Sequence, residues 1–263
     1  MTLTLLLGAV VGLILGLTGA GGGILAVPLL VFGQQLTITE AGPIGLLAVG
    51  ISAAVGAVIG LRSGIVRYRA ALLVAGTGIL LAPAGIWLAQ GLNTRILSVV
   101  FAIVLLWVAF KSFKESRENA QIKPLNIVPP CIRESKSGRF IWTNKCAALL
   151  AATGSVAGVL SGLLGVGGGF VMVPALQRYT DLEMRSVVAT SLAVIALISI
   201  TGVATSISSG HFDHAIGVPF AAGTVAGMVV GGALSSRLST KYLKKIFALI
   251  CLAVAVGMIV KAS

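Results

Sequence analysis

The chain has 263 residues, of which 57% are hydrophobic and 10% charged, and its mean hydropathy is +1.06. A water-soluble domain of this size needs far more charge on its exterior, so the composition excludes one and points to a multi-spanning helical membrane protein. The net charge of +12 does not imply nucleic acid, because the basic residues gather between apolar segments and no basic groove with interleaved aromatics is visible.

The first apolar segment, about 3–33, contains 16-GLTGAGGGILAVPLL-30, a cluster of glycines and a proline in a run without charge. Further apolar segments are predicted at about 42–61, 70–90 and 95–112. The stretch 111–145 is polar, with eight basic residues, three glutamates and three prolines (Pro124, Pro129, Pro130) that argue against one continuous helix. It reads as a cytoplasmic linker. Beyond it come segments at about 146–177, 186–207, 214–235 and 242–260, and the first of these carries 162-GLLGVGGGFVMVPAL-176. The opening residues do not read as a cleaved leader, since they lack a basic n-region and their pattern returns at 154–176.

The return is a duplication. At a constant offset of 146 residues, Gly8, Gly12, Gly16 and Gly19 fall on Gly154, Gly158, Gly162 and Gly165. Gly21, Gly22 and Gly23 fall on Gly167, Gly168 and Gly169, Pro28 falls on Pro174, and Ser63-Gly64 falls on Ser209-Gly210. Three parts follow: residues 1–112 as repeat 1, 113–144 as the linker and 145–263 as repeat 2.

Charge orients the repeats. If all eight segments cross the membrane, the repeats are parallel, and 12 of the 19 lysines and arginines share the linker's side. If the glycine-broken segments dip in and leave on one side, the repeats are inverted and 17 of the 19 do so. The positive-inside bias favours the second arrangement. The expected fold is an all-α polytopic membrane protein of two inverted repeats, each a glycine-broken re-entrant hairpin plus three transmembrane helices. The competing arrangement is one long tilted helix kinked at the glycines.

A chain that turns within lipid exposes peptide groups that only protein, water or a ligand can satisfy. Glycine permits the turn. Pro28 and Pro174, lacking an N–H, are expected near the first turn of the following arm, which would start after the glycine triplet. Such a helix start aims free N–H groups and a positive dipole end at one spot. The candidate substrate-binding residues are therefore Gly19, Gly21, Gly22 and Gly23 with Gly165, Gly167, Gly168 and Gly169, holding a small anion at mid-depth. The alternative is that the glycines only allow close helix packing, and Gly8, Gly12 and Gly16 at spacing four are assigned to packing. Neither cluster follows a strand or ends in the Lys-Ser/Thr of a nucleotide loop.

Thr190 and Ser191, opposite Ile44 and Gly45, either bond carbonyls of their own helix or add side-chain donors to the anion site. His211, Asp213 and His214 read as a wet loop rather than a metal site. Glu40 stands alone at the outer end of the first hairpin. The three cysteines, Cys131, Cys146 and Cys251, suggest neither a disulfide framework nor a zinc site. No cofactor and no metal is expected. An intramembrane enzyme would need a nucleophile–base pair at depth, which the sequence does not offer.

The paired GLTGAGGGILAVP and GLLGVGGGFVMVP, with the Ser-Gly loops before the third segment of each unit, resemble the sulfite exporter TauE/SafE family over almost all of the chain except the linker. That resemblance implies a prokaryotic-type, multi-pass inner-membrane permease for sulfur-containing anions such as sulfite, sulfonates or sulfoacetate. It maps the family motifs onto Gly19–Gly23, Pro28, Gly165–Gly169, Pro174 and Thr190-Ser191. Repeat 1 departs from it, with Ile44-Gly45 where the family carries Thr-Ser. The partners expected are a small inorganic or organic anion and the lipid bilayer; a homodimer is compatible with the pattern. Other readings are a permease or channel for another small ion, and a non-transporting scaffold.

Overall fold

The computed structural model describes residues 1–19, 21–117, 130–131, 143–208, 213–234 and 240–262, so most of the linker, His211 and Arg237 lie outside the described residues. Among the described residues there are ten α-helices. They are α1 (Thr2–Thr18), α2 (Gly21–Gly33), α3 (Ile38–Arg62), α4 (Tyr68–Gly91), α5 (Thr94–Arg117), α6 (Asn144–Leu164), α7 (Gly169–Tyr179), α8 (Met184–Ser208), α9 (His214–Leu234) and α10 (Thr240–Ala262). Six of these, α3, α4, α5, α6, α8 and α9, are long and apolar enough to cross a bilayer. The architecture is all-helical and polytopic, as composition requires.

Each glycine break turns the chain back on itself. Gly19 and Gly165 end α1 and α6 in the left-handed conformation, at φ +76° and +68°, which costs a glycine little. The arm α2 then runs back beside α1. Near the bend Gly22 lies against Val11 and Leu15, and at the open end Gln34 Nε2 donates to Thr4 Oγ1 at 3.1 Å. In the second hairpin Gly168 lies against Ala157, the same contact displaced by 146 residues.

Two expectations are corrected here. The prolines do not sit in the first turn of their arms: α2 starts at Gly21 and α7 at Gly169, placing Pro28 about two turns inside and Pro174 more than one. The glycine conformations, not the prolines, fix where each arm begins. Secondly, Cys131 and Cys146 form a disulfide with Cα atoms 5.1 Å apart. The amide of Cys131 donates to Tyr179 O at 3.1 Å, so this linker residue ties the end of α7 to the start of α6. Cys251 is free and buried.

The hairpins are wedged into the opposite halves of the chain. Gly8, Gly12 and Gly16 of α1 face the main chain of α9 at Phe220, Thr224 and Met228. Gly223, Gly227 and Gly231 of α9 return the contact at Leu5, Ala9 and Leu13. The counterpart pair is α6 with α4, where Gly154, Gly158 and Gly162 meet Val74, Gly78 and Ala82. Such small-residue stripes let backbones approach closely, and this bears out their assignment to packing. Both pairs are parallel.

By contrast, α3 and α8 cross in opposite directions. Positions 50, 56 and 60 of α3 meet Ser199, Leu192 and Ala189 in falling order. One end of the bundle therefore gathers the end of α3, the starts of α4, α6 and α8 and the end of α7, with Arg62, Arg67, Arg69, Lys145, Arg178 and Arg185. The opposite end carries Glu40, Arg95, Asp213 and His214. On the basic side α5 continues to Arg117, past the expected boundary at 112. Its Lys111 ammonium lies 5.1 Å from the Trp107 ring centre, a pairing suited to a lipid headgroup layer.

Replacing Gly158 by valine drives a side chain into the Gly78 backbone, whose Cα would be 2.6 Å from the new Cβ. The expected cost is about 3 kcal/mol or more, read as a large fall in melting temperature or loss of monodisperse protein. Gly76→Ala, in open space on the same helix as Gly78, is expected to leave the melting temperature unchanged or slightly raised.

Candidate functional site

The two bends meet near the centre of the bundle. A Cβ built on Gly23 would lie 2.6 Å from the carbonyl oxygen of Val166, and one on Gly165 would lie 2.6 Å from Gly42 Cα. Gly19, Gly21, Gly22, Gly23, Gly167, Gly168 and Gly169 are all buried. The structure thus brings both glycine clusters together, with the first turns of α3 between them.

Their local chemistry differs. At the first bend, the Gly21 amide donates to Thr18 Oγ1 at 2.8 Å, and that hydroxyl donates to Ile14 O at 2.7 Å. The Gly19 carbonyl accepts from Ser191 Oγ at 3.0 Å. At the second bend, the residues equivalent to Thr18 and Ser191 are Leu164 and Gly45, which have no hydroxyl. Gly165, Gly167 and Gly168 all take positive φ there, against Gly19 alone among the described residues of the first. The N-cap of α7 is Gly168, with no side-chain cap bond. Among the described residues no hydrogen bond is donated by the amides of Gly167, Gly168, Gly169 or Phe170. Several successive N–H groups and the positive end of α7 are thus left at one buried point.

The individual glycines divide by task. Gly22 and Gly168 face the first arm of their own hairpins, Gly19 faces Val188, and Gly21 faces Phe247. Gly167 faces Ile195, Ser199 and Leu46. Thr190 is buried, and its hydroxyl accepts from the Arg67 amide at 3.1 Å, holding the α3–α4 turn at the basic end. Ser191 also donates to Val188 O, at 2.8 Å.

A cavity of about 330 Å³ reaches the second bend, at the small end of the range for small-molecule sites. It runs from Thr39, Glu40 and Gln90, at the end of the bundle away from the basic residues, down to Ser161 and Gly165. Leu46 and Ile198 also line it.

Sequence reasoning passed over two features. Glu40 is not solitary, because its carboxylate accepts from the Thr37 amide at 2.9 Å and closes a capping box at the start of α3. The Thr-x-x-Glu spacing was the available signal. Ser199 was overlooked because one serine in an apolar run carries no pattern. Asp213 Oδ1 accepts from the Ala215 amide at 2.8 Å, and among the described residues no three His, Cys, Asp or Glu side chains gather as metal ligands.

This hairpin-based architecture can be set beside known proteins. A family model described as Sulfite exporter TauE/SafE matches residues 4–258, nearly the whole chain. The chain belongs to this family. Relatives of the TauE/SafE chain include the probable membrane transporter protein YunE of Bacillus subtilis (strain 168), 26% identical over 263 residues, covering 96% of this chain and 95% of that one. A probable membrane transporter protein of Xylella fastidiosa (strain 9a5c) is 28% identical over 256 residues, covering 96% and 92%. No solved structure matches the chain. With the six span-length helices, family membership makes this a multi-pass membrane protein of a transporter family.

The Gly42–Gly165 contact is one-sided and testable. A Cβ on Gly42 finds its nearest neighbour at 3.7 Å, an ordinary contact, whereas one on Gly165 adds left-handed strain to the approach of 2.6 Å. Gly165→Ala is expected to cost about 2 kcal/mol or more and Gly42→Ala under about 1 kcal/mol, both read by thermal melting in detergent.

Proposed function

We propose that this protein is a secondary transporter of small sulfur-containing anions, sulfite or organosulfonates, which bind at mid-depth where the two glycine breaks meet. It performs no covalent chemistry on them. The observation that carries the reading is the run of buried amides without partners at the second bend, from Gly167 to Phe170. Hydrocarbon cannot satisfy such groups, and leaving each one bare costs several kcal/mol. Broken helices with their N-termini aimed at an anion are a recurrent device of secondary transporters. The sulfur chemistry comes from the family description.

On this reading residues 1–112 and 145–263 are inverted repeats, each a re-entrant hairpin followed by three crossings, joined by 113–144. The opposed directions of the equivalent helices α3 and α8 support the inversion. The gathering of arginines and lysines at one end supports placing that end in the cytoplasm. The cavity then faces the other side of the membrane. A cytoplasm-active reporter fused after Ser263 is expected to be inactive; strong activity there would favour parallel repeats.

The substrate is tested with the purified full chain, by thermal shift and by flux into liposomes, against sulfite, sulfate, thiosulfate, sulfonates and carboxylates. Sulfite or a sulfonate is expected to raise the melting temperature and to move across the bilayer. Absence of flux for every anion, in protein shown to be folded, would overturn the transport reading.

A further inference from the structure

We propose that the transported anion is held at the second break, with Ser199 as its side-chain donor, and that the first break, whose leading amide is capped by Thr18 and which has no counterpart of Ser199, is a structural copy. This rests on the transport reading above and assigns its site to particular atoms. The sequence had suggested a site shared by both breaks.

Three differences between equivalent positions support the assignment, and all point the same way. Thr18, whose hydroxyl takes the Gly21 amide, is replaced by Leu164 in the second unit. Ser191, whose hydroxyl reaches the Gly19 carbonyl, is replaced by Gly45. The first bend thus has a hydroxyl on its leading amide and another on one carbonyl, although among the described residues its Gly22, Gly23 and Ile24 amides donate no hydrogen bond either; the second bend has lost both hydroxyls. The third difference adds a group to the second unit: Ser199 stands where the first unit has Ala53.

Ser199 is 1% exposed, and among the described residues its hydroxyl has no hydrogen-bond partner. Other buried hydroxyls near mid-depth bond back to a carbonyl: Ser52 to Ala48, Thr153 to Leu149, Ser191 to Val188 and Thr224 to Phe220. A buried hydroxyl without a partner is costly, and its presence calls for a ligand or another cause. It faces the break directly. A Cβ built on Gly167 would lie 3.5 Å from Ser199 Oγ, 3.1 Å from Ile195 and 3.9 Å from Leu46. A hydroxyl, several bare amides and a helix start therefore surround the same point.

The chemistry selects a compact oxyanion. Every donor offered is neutral, so the ligand must bring acceptor oxygens on several sides, as a sulfite or a sulfonate head group does. Without an arginine or lysine the hold is moderate, which suits a solute that has to leave again. Leu46 lies both against Gly167 and in the wall of the outer cavity. It is the side chain that separates the cavity from the site.

The test uses the full-length protein in liposomes with sulfite as the probe, measuring KM and maximal flux. Ser199→Ala removes the hydroxyl without adding volume and is expected to raise KM for sulfite about tenfold. Leu164→Thr supplies the second bend with the cap that Thr18 gives the first, and is expected to raise KM severalfold because the Gly167 amide is then occupied. Both variants are checked for folding by their melting temperatures without anion. In addition, sulfite should raise the melting temperature of the wild type clearly and of Ser199→Ala little. Wild-type sulfite flux with KM unchanged in both folded variants would overturn the assignment and leave the transport reading intact. A folded wild type that neither binds nor moves sulfite would overturn the sulfite reading, and this assignment with it.

Discussion

A peptide group in hydrocarbon must have a partner, and this constraint governs the whole molecule. Continuous helices meet it within themselves. A chain that stops and turns inside the bilayer frees N–H and C=O groups at the turn, and every nearby element is arranged around them. The two hairpins of this protein answer the constraint differently. One supplies hydroxyls from Thr18 and Ser191. The other keeps its amides bare beside a cavity.

Close main-chain contact is the second organising force. Association within lipid gains little from hiding apolar surface, since the solvent is already oil, so packing has to come from surface fit. The glycine stripes of α1 with α9 and of α6 with α4 provide it, carbonyl against Cα over about three turns. The same stripes hold each bend at a fixed depth. Position of the bends, and therefore the meeting of Gly23 with Val166, follows from residues far from the site itself.

Much of this was legible in the residues. The 146-residue offset gave the equivalences, and the glycine clusters marked both bends to within a residue or two. Spacing four at Gly8, Gly12 and Gly16 marked a packing stripe, although not its partner, because partners in a helical bundle are chosen by tertiary fit. The Cys131–Cys146 bridge was hidden: fifteen residues of separation mean nothing until Tyr179 brings Cys131 back over the start of α6. Ser199 was hidden for a different reason. Its distinction is a missing hydrogen bond, which only atoms in place can reveal. The asymmetry of the breaks was half visible, in Ile44-Gly45 against Thr190-Ser191, yet its meaning depended on finding that Ser191 serves the opposite hairpin.

The crossed pairing of α1 with α9 and of α6 with α4 also redefines what a movement of this protein can be. Gene duplication divides the chain into an earlier half and a later half, but backbones locked together by glycine cannot part along that seam. Any rigid piece that shifts must be a chimera, carrying the leading helix of one copy with the third segment of the other. Displacement is then confined to the antiparallel seam between α3 and α8, where Gly50, Gly56 and Gly60 meet side chains rather than main chain.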